Sequence, residues 1–325
     1  MTQKKYSLLE RAAVIDDIYN GEIYKESQCL ERENVIKKFL EHMLDHYGYV
    51  VDDISGRRWV KQDRLVVLCL VDDFNVCGAD YSNGPKDWFN KNAVIITDNQ
   101  VLFSPQYTVL KLPESFYSTF LYMPKLTHWQ PVREFHFPMN RGDLQRDTIF
   151  KEFEQQRGLS DLDYVNYNAA QSEYPAYRNH QCYIEEAWVQ SYINLVVETY
   201  AGDSTITFSE KIFRALQTPA PWMLFACRNS IAYLRDIGFD VLDDLIDHGY
   251  DSAYQTGLNG IDKIRNWFKF SLRNLETIKQ KDKNTIRQRC LVAAEHNRAL
   301  LQAWKKQWPE DFSKWLSNTV QVLNS

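Results

Sequence analysis

The sequence predicts an α/β protein built from two Rossmann-like domains with parallel sheets, followed by a helical tail. Three observations carry this expectation. The chain has 325 residues, about two domains' worth by the usual size range. Short, continuously apolar runs of strand length alternate with stretches whose apolar residues recur every three or four positions, and such βαβα alternation demands a parallel sheet. From Ile261 onward the pattern is helical without strands.

Taken in order, Lys4 to Tyr49 reads as mostly helical, with Val35, Phe39, Leu40, Met43 and Leu44 at three- and four-residue steps. His42 and His46 share one face of that helix at the spacing of a metal pair. No third ligand accompanies them, so a solvated face is the reading adopted and no metal site is expected. Buried-strand runs follow at Arg64 to Val71, Ala93 to Thr97 and Tyr107 to Leu112; their unbroken apolar character suits strands covered on both faces. Pro113, Pro124, Pro131 and Pro138 punctuate a connection, which puts a domain junction near Pro131. Beyond it, Phe135 to Met139 leads through Asn140-Arg141-Gly-Asp-Leu-Gln-Arg146 into an amphipathic helix containing Ile149, Phe150 and Phe153. Ser191 to Val197 is a strand, Ser209 to Leu216 a helix, Trp222 to Ala226 a strand, and Asn229 to Ile237 a helix stopped by Gly238. The final stripe of Ile286, Cys290, Leu291, Ala294, Leu301 and Trp304 is expected to end near Pro309. The domains are thus 1–131, 132–262 and a tail of 263–325.

Composition narrows the function classes. With 44% hydrophobic and 25% charged residues and only 12 Gly and 10 Pro, the chain is neither disordered nor fibrous. No stretch approaches the roughly 18 to 20 apolar residues of a membrane span, and Met1 to Glu10 has no apolar run like that of a signal peptide, so the chain reads as cytosolic. Six scattered cysteines without Cys-x-x-Cys fit reduced thiols. Charge is uneven. Residues 263–325 carry thirteen Lys or Arg against five Asp or Glu, a balance of +8; with −5 overall, the preceding 262 residues hold −13. Trp267, Trp304, Trp308 and Trp315 lie in that basic segment. Cations interleaved with aromatics suit a phosphate backbone or an anionic membrane surface, and equally a solvated helix packed on the body through its tryptophans. Lys279, Lys281, Lys283, Arg287 and Arg289 cluster around a helix start at Asn284.

The segment from Glu198 to Leu216 holds the most chemistry. Ser209 is placed to cap a helix and Glu210 adds favourable negative charge to its first turn. Lys211 is a cation where the helix dipole disfavours one unless an anion is bound, and a phosphate would satisfy it. Arg141 and Arg146, at another strand-to-helix turn, suit bidentate phosphate binding or surface ion pairing. No Gly-x-Gly-x-x-Gly, Walker lysine loop or nucleophile elbow is present, which removes the usual support for dehydrogenases, P-loop NTPases and α/β-hydrolases.

The strand ending in Val-Glu-Thr, followed by Ile206-Thr-Phe-Ser-Glu-Lys-Ile-Phe-Arg-Ala-Leu216 and a Pro-led strand, resembles the donor-site signature of the α1,3-fucosyltransferase family. In that family an acidic strand end precedes a Thr-Glu-Lys helix start; here Ser209 stands in place of Thr and the Asp203-Ser-Thr segment differs. The layout, including Gly238-Phe239 and Asp247-His-Gly-Tyr-Asp251, also resembles glycosyltransferase-like proteins of tailed bacteriophages over most of residues 60 to 265. The resemblance implies a GT-B arrangement, with a nucleotide sugar (a UDP- or GDP-sugar) held by the C-terminal domain across a cleft from an acceptor-side domain. It implies that Glu210 binds the ribose hydroxyls, that Lys211 and Arg146 bind the pyrophosphate, and that Glu198 binds the sugar or its leaving group. Inversion at the anomeric carbon and independence from metal are further implications.

In that reaction a base deprotonates the acceptor hydroxyl while cations stabilise the departing diphosphate. Asp72 and Asp73, directly after the Arg64 to Val71 strand, are best placed as the base, with Asp98 in reserve; turn chemistry also explains acidic residues at strand ends. The acceptor is expected to be hydroxymethylated bases in phage DNA, reached through the basic tail, with a surface polysaccharide or lipid-linked glycan as alternative. A noncatalytic nucleic-acid-binding protein is the alternative of another class; a pI near 5.9 and an acidic body stand against it.

Overall fold

A computed structural model describes residues 40, 44–45, 48–52, 58–62, 64–69, 94–97, 100–101, 108–120, 125–138, 144–158, 164–165, 185–198, 205–206, 208–252 and 260–324. Packing divides the chain into two compact units, 1–119 with 302–325, and 120–301. The division falls before Pro131, and residues 263–325 are shared between the units instead of standing apart.

In the first unit the strands are β1 (Val50–Val51), β2 (Arg58–Lys61), β3 (Arg64–Cys69), β4 (Val94–Thr97), β5 (Gln100–Val101) and β6 (Thr108–Lys111). Five of them form a sheet in the order β1-β2-β3-β4-β6. The three expected strands are β3, β4 and β6, and they pair in parallel as expected. The sheet is nonetheless mixed, because β1 and β2 join antiparallel. Lys61 and Arg64 pair where β2 meets β3, and Gln62 after β2 has φ 56°, the positive φ found in tight hairpins. The short, half-charged Arg-Trp-Val-Lys run hides this strand from a search for apolar runs. Leu40 and Leu44, from the predicted helical stretch, are buried.

The second unit holds β7 (Arg133–Phe137), β8 (Tyr164–Val165), β9 (Ser191–Val197), β10 (Thr205–Ile206) and β11 (Trp222–Phe225). Its four-stranded sheet, ordered β11-β9-β7-β8, is parallel throughout. Among the described residues its α-helices are α1 (Leu144–Arg157), α2 (Glu185–Val189), α3 (Glu210–Leu216), α4 (Ser230–Asp236), α5 (Gly249–Ser252) and α6 (Gly260–Lys279), and α7 (Lys283–Asn324) belongs to it up to Leu301. Gly238 follows α4 at φ 99°, the left-handed cap expected of it. Ile193, Leu195, Val196 and Val197 of β9 are fully buried beneath α3 and α6, which accounts for the continuous apolar run.

The helix α7 does not end near Pro309; it continues through it to Asn324. A proline inside a helix removes one hydrogen bond and costs about 3 kcal/mol. Trp308, Phe312 and Trp315 lie buried on either side of it, ring against ring at 5.0 and 5.5 Å, and Trp308 meets Phe116 at 5.8 Å. Burying three large aromatics offsets that cost. Arg64 also donates to the Val322 carbonyl at 2.7 Å, tying β3 to the end of the helix. No helix among the described residues is long and apolar enough to cross a membrane.

Candidate functional site

The carboxyl ends of β7, β9 and β11 lie along one edge of the parallel sheet, where ligands of open α/β sheets bind. Glu198 directly follows β9, and its amide still bonds the Phe225 carbonyl of β11 at 2.9 Å. Glu198 is 1% exposed. It accepts two hydrogen bonds from Ser209, from the amide at 3.1 Å and from the hydroxyl at 2.5 Å. Ser209 is extended (φ −112°, ψ −179°) and caps α3 as the sequence predicts, accepting from the Lys211 amide at 3.4 Å. The Lys211 ammonium approaches the same Ser209 oxygen at 3.4 Å. One hydroxyl thus gives its proton to a carboxylate and turns its lone pairs to a cation, which uses its full donor and acceptor capacity. Phe208, Ile212 and Phe213, all fully buried, anchor the helix start beneath these groups.

Lys211 is 9% exposed. The anion that its position calls for also has an internal source, the Glu198 carboxylate across Ser209. The segment therefore gathers a buried carboxylate, a hydroxyl and a buried cation within one strand-to-helix turn.

The neighbouring turn, from β11 to α4, is built differently. Asn229 precedes α4 in the left-handed region (φ 62°) and its side chain makes no capping bond. Asp251 caps the helix from outside, its Oδ2 accepting from the amides of Ile231 at 3.1 Å and Ala232 at 3.3 Å. Burial raises the Asp251 pKa above the ordinary aspartate value against the pull of those amides. His248 Nε2 donates to the Val241 carbonyl at 2.7 Å, which fixes Nδ1 as the acceptor for the Tyr250 hydroxyl at 3.0 Å; that hydroxyl accepts from the Leu224 amide at 3.1 Å. Burial lowers the His248 pKa. A Cβ at Gly249 would meet Asp247 Oδ1 and Phe270 at 3.0 Å, closer than ordinary contact. The Asp247-His-Gly-Tyr-Asp251 segment is thus a brace that locks the loop to β11 and α4.

A second buried histidine, His136 on β7, faces Asn194 on β9 at 2.9 Å, and burial lowers its pKa to about 4 against that hydrogen bond. Asn194 in turn donates to the Trp188 and Pro221 carbonyls at 3.0 and 3.3 Å.

Of the residues predicted for the site, the structure brings together Glu198, Ser209 and Lys211. Glu210 opens α3 and Arg146 lies in α1, with their side chains outside the described set. Arg141, Asp72, Asp73, Asp98, His42 and His46 lie outside the described residues. The basic cluster is partly spent inside the fold. Arg289 forks onto Asp240 and Asp244 with four bonds of 2.8 Å, Lys279 pairs with Glu134, and Lys281 donates to the Asp244 carbonyl at 3.2 Å. Lys283 lies 5.3 Å from the Tyr192 ring.

No family model matches the chain, and no curated protein does. Among solved structures, it is similar to a DNA-modifying β-glucosyltransferase studied with and without its substrate uridine diphosphoglucose, at a TM-score of 0.37 and 11% identity over 80% of this chain and 74% of that one.

Proposed function

We propose that the protein is a GT-B glycosyltransferase that moves a sugar from a nucleoside diphosphate donor to an acceptor hydroxyl. The observation that carries the reading is the convergence of Glu198, Ser209 and Lys211 at the carboxyl end of a central parallel strand. Those are residues of the motif that resembles a nucleotide-sugar site, and the place is where such sheets bind nucleotides.

In this reading the acceptor oxygen bonds to the anomeric carbon as the bond from that carbon to the diphosphate oxygen breaks. The electron pair leaves with the diphosphate, and the acceptor proton passes to a carboxylate, Asp72 or Asp73 with Asp98 in reserve. Lys211 meets the growing phosphate charge, joined by Arg146 and Arg141, so that no metal is needed to neutralise it. Glu198, an acceptor of hydrogen bonds already held in place by Ser209, takes a donor hydroxyl, and Glu210 takes the ribose.

The acceptor in this reading is a hydroxymethylated base in DNA. Its phosphates fall to Lys281, Lys283 and Arg287, since Lys279 and Arg289 are held by carboxylates. Melting the protein with and without UDP, GDP and their sugars tests the donor assignment. A ligand that binds only the folded state at a hundred times its Kd adds about 2.7 kcal/mol, and no response to either nucleotide series contradicts the reading.

A further inference from the structure

The carboxyl edge of the second unit's sheet holds the candidate donor turn, and the opposite, amino edge holds a different chemistry. Tyr192 is the second residue of β9 and Glu134 the second of β7, and the pairs Arg133–Ser191 and Phe135–Ile193 set them level. The end of α6 and the start of α7 meet at this edge. Lys279 Nζ lies 6.0 Å and Lys283 Nζ 5.3 Å from the Tyr192 ring, which the buried Trp129 backs edge-on at 6.0 Å. Glu198 lies six residues of extended chain beyond Tyr192, so the two edges are about 20 Å apart.

Residues 263–301 carry ten Lys or Arg against three Asp or Glu. Several carboxylates near this edge are already engaged. Glu134 pairs with both Lys279 and Arg157, Asp240 and Asp244 hold Arg289, and Asp282 accepts from the amide and hydroxyl of Thr285. Lys283, exposed, and Arg287, half-buried, form no ion pair among the described residues. They stand four residues apart on one face of the first two turns of α7. There the helix dipole disfavours cations, and like charges at that spacing repel. The pair therefore weakens the helix that carries it, and a polyanion meeting both cations at once reverses the sign.

We infer that this amino edge is a DNA-backbone surface set apart from the place of reaction, with Lys283 and Arg287 on phosphates. Charge complementarity names the occupant. A duplex carries one negative charge per about 1.7 Å of its axis, dense enough to meet two cations whose Cβ atoms stand about 5 to 6 Å apart. The inference deepens the DNA half of the reading above. The gripped phosphates lie about six base pairs or more from a base at the donor turn, at ~3.4 Å for each pair. Contacts so far from the reacting atoms add affinity for long DNA and leave nucleotide binding alone.

Fluorescence anisotropy with a duplex of about 20 base pairs, roughly three times that span, compares wild type with the double variant Lys283→Gln, Arg287→Gln across a salt series. Calorimetry with UDP and GDP follows the donor turn in both proteins. The log-log salt slope of the double variant is expected to fall by about 1.8, at 0.9 for each contact, with both nucleotides bound as in wild type. If the double variant does not fold, Lys283→Gln alone decides, with half that change in slope. A folded variant with the DNA affinity and slope of wild type overturns the inference. So does a variant that loses nucleotide binding along with DNA, or a wild type that binds phosphatidylserine vesicles and no duplex. A wild type that binds duplex through these residues but neither nucleotide removes the donor reading and leaves this surface standing.

Discussion

Two adjacent strand-to-helix turns of the second unit each bury a carboxylate, and they use it in opposite ways. After β11, Asp251 is consumed by backbone amides of α4, and the loop around it is held by His248, Tyr250 and Gly249. The Asp251 carboxylate bonds main-chain amides. After β9, Glu198 is bound through Ser209, whose hydroxyl also faces the Lys211 ammonium. At the start of α4 the Asp251 carboxylate already occupies the amides, whereas after β9 the carboxylate's partners are the amide and hydroxyl of Ser209, beside the Lys211 ammonium. The first turn is a brace and the second a candidate site, although burial and position in the sheet are alike.

The comparison can be broken by experiment, beginning with acid. His136, held at a pKa of about 4, and His248, lowered by burial, are neutral in the folded protein and charge readily when unfolded. Groups depressed in this way stabilise the fold above the ordinary histidine value of 6.5 and lose that contribution as pH falls through their folded values. Denaturant unfolding from pH 7 down to 4 should show His136 alone contributing about 3 kcal/mol of lost stability. His136→Gln should flatten the slope; an unchanged slope contradicts the burial argument.

Next is Asp251→Ala, which strips the α4 amides of their acceptor and should cost about 2 kcal/mol, read as a lower denaturant midpoint. Nucleotide response of the folded fraction should persist. Arg289→Ala frees Asp240 and Asp244 and should cost about 1 kcal/mol, since the fork is partly exposed. Burial alone would raise the Asp240 pKa, but Arg289 and the Leu242 amide bring it below the ordinary value. That contribution is present above the ordinary aspartate pKa and vanishes as pH falls through the folded one, so variant and wild type should converge in strong acid. Smallest is the change in DNA binding. Neutralising Lys281, Lys283 and Arg287 should lower the log-log salt slope by about 0.9 for each DNA phosphate left without its cation, whereas Lys279→Ala should leave it unaltered.

The sheet of the second unit was legible because β9 and β11 are buried on both faces and read as unbroken apolar runs. Ser209 and Gly238 marked a helix start and a helix end through capping chemistry that acts over a few residues. What stayed hidden depends on distance in sequence. Nothing local distinguishes Lys263 from a surface lysine; only its place one turn before Trp267 on the packed face signals burial. The Asp251 cap joins residues about twenty apart, and the hairpin strand β2 is half charged. Pro309 misled for the opposite reason, since a local rule for ending helices yields to aromatic packing on both sides of it.

The central claim is that the β9–α3 turn binds the donor phosphate and the β11–α4 turn does not. It is tested most directly by titrating UDP and GDP against wild type, Lys211→Met and Asp251→Asn under one set of conditions. The account expects Lys211→Met to lose tenfold or more in affinity, in line with about 1.5 to 3 kcal/mol for a charged contact, and Asp251→Asn to bind as wild type does. A folded Lys211→Met protein with unchanged affinity, or an Asp251→Asn protein that loses it, would contradict the account.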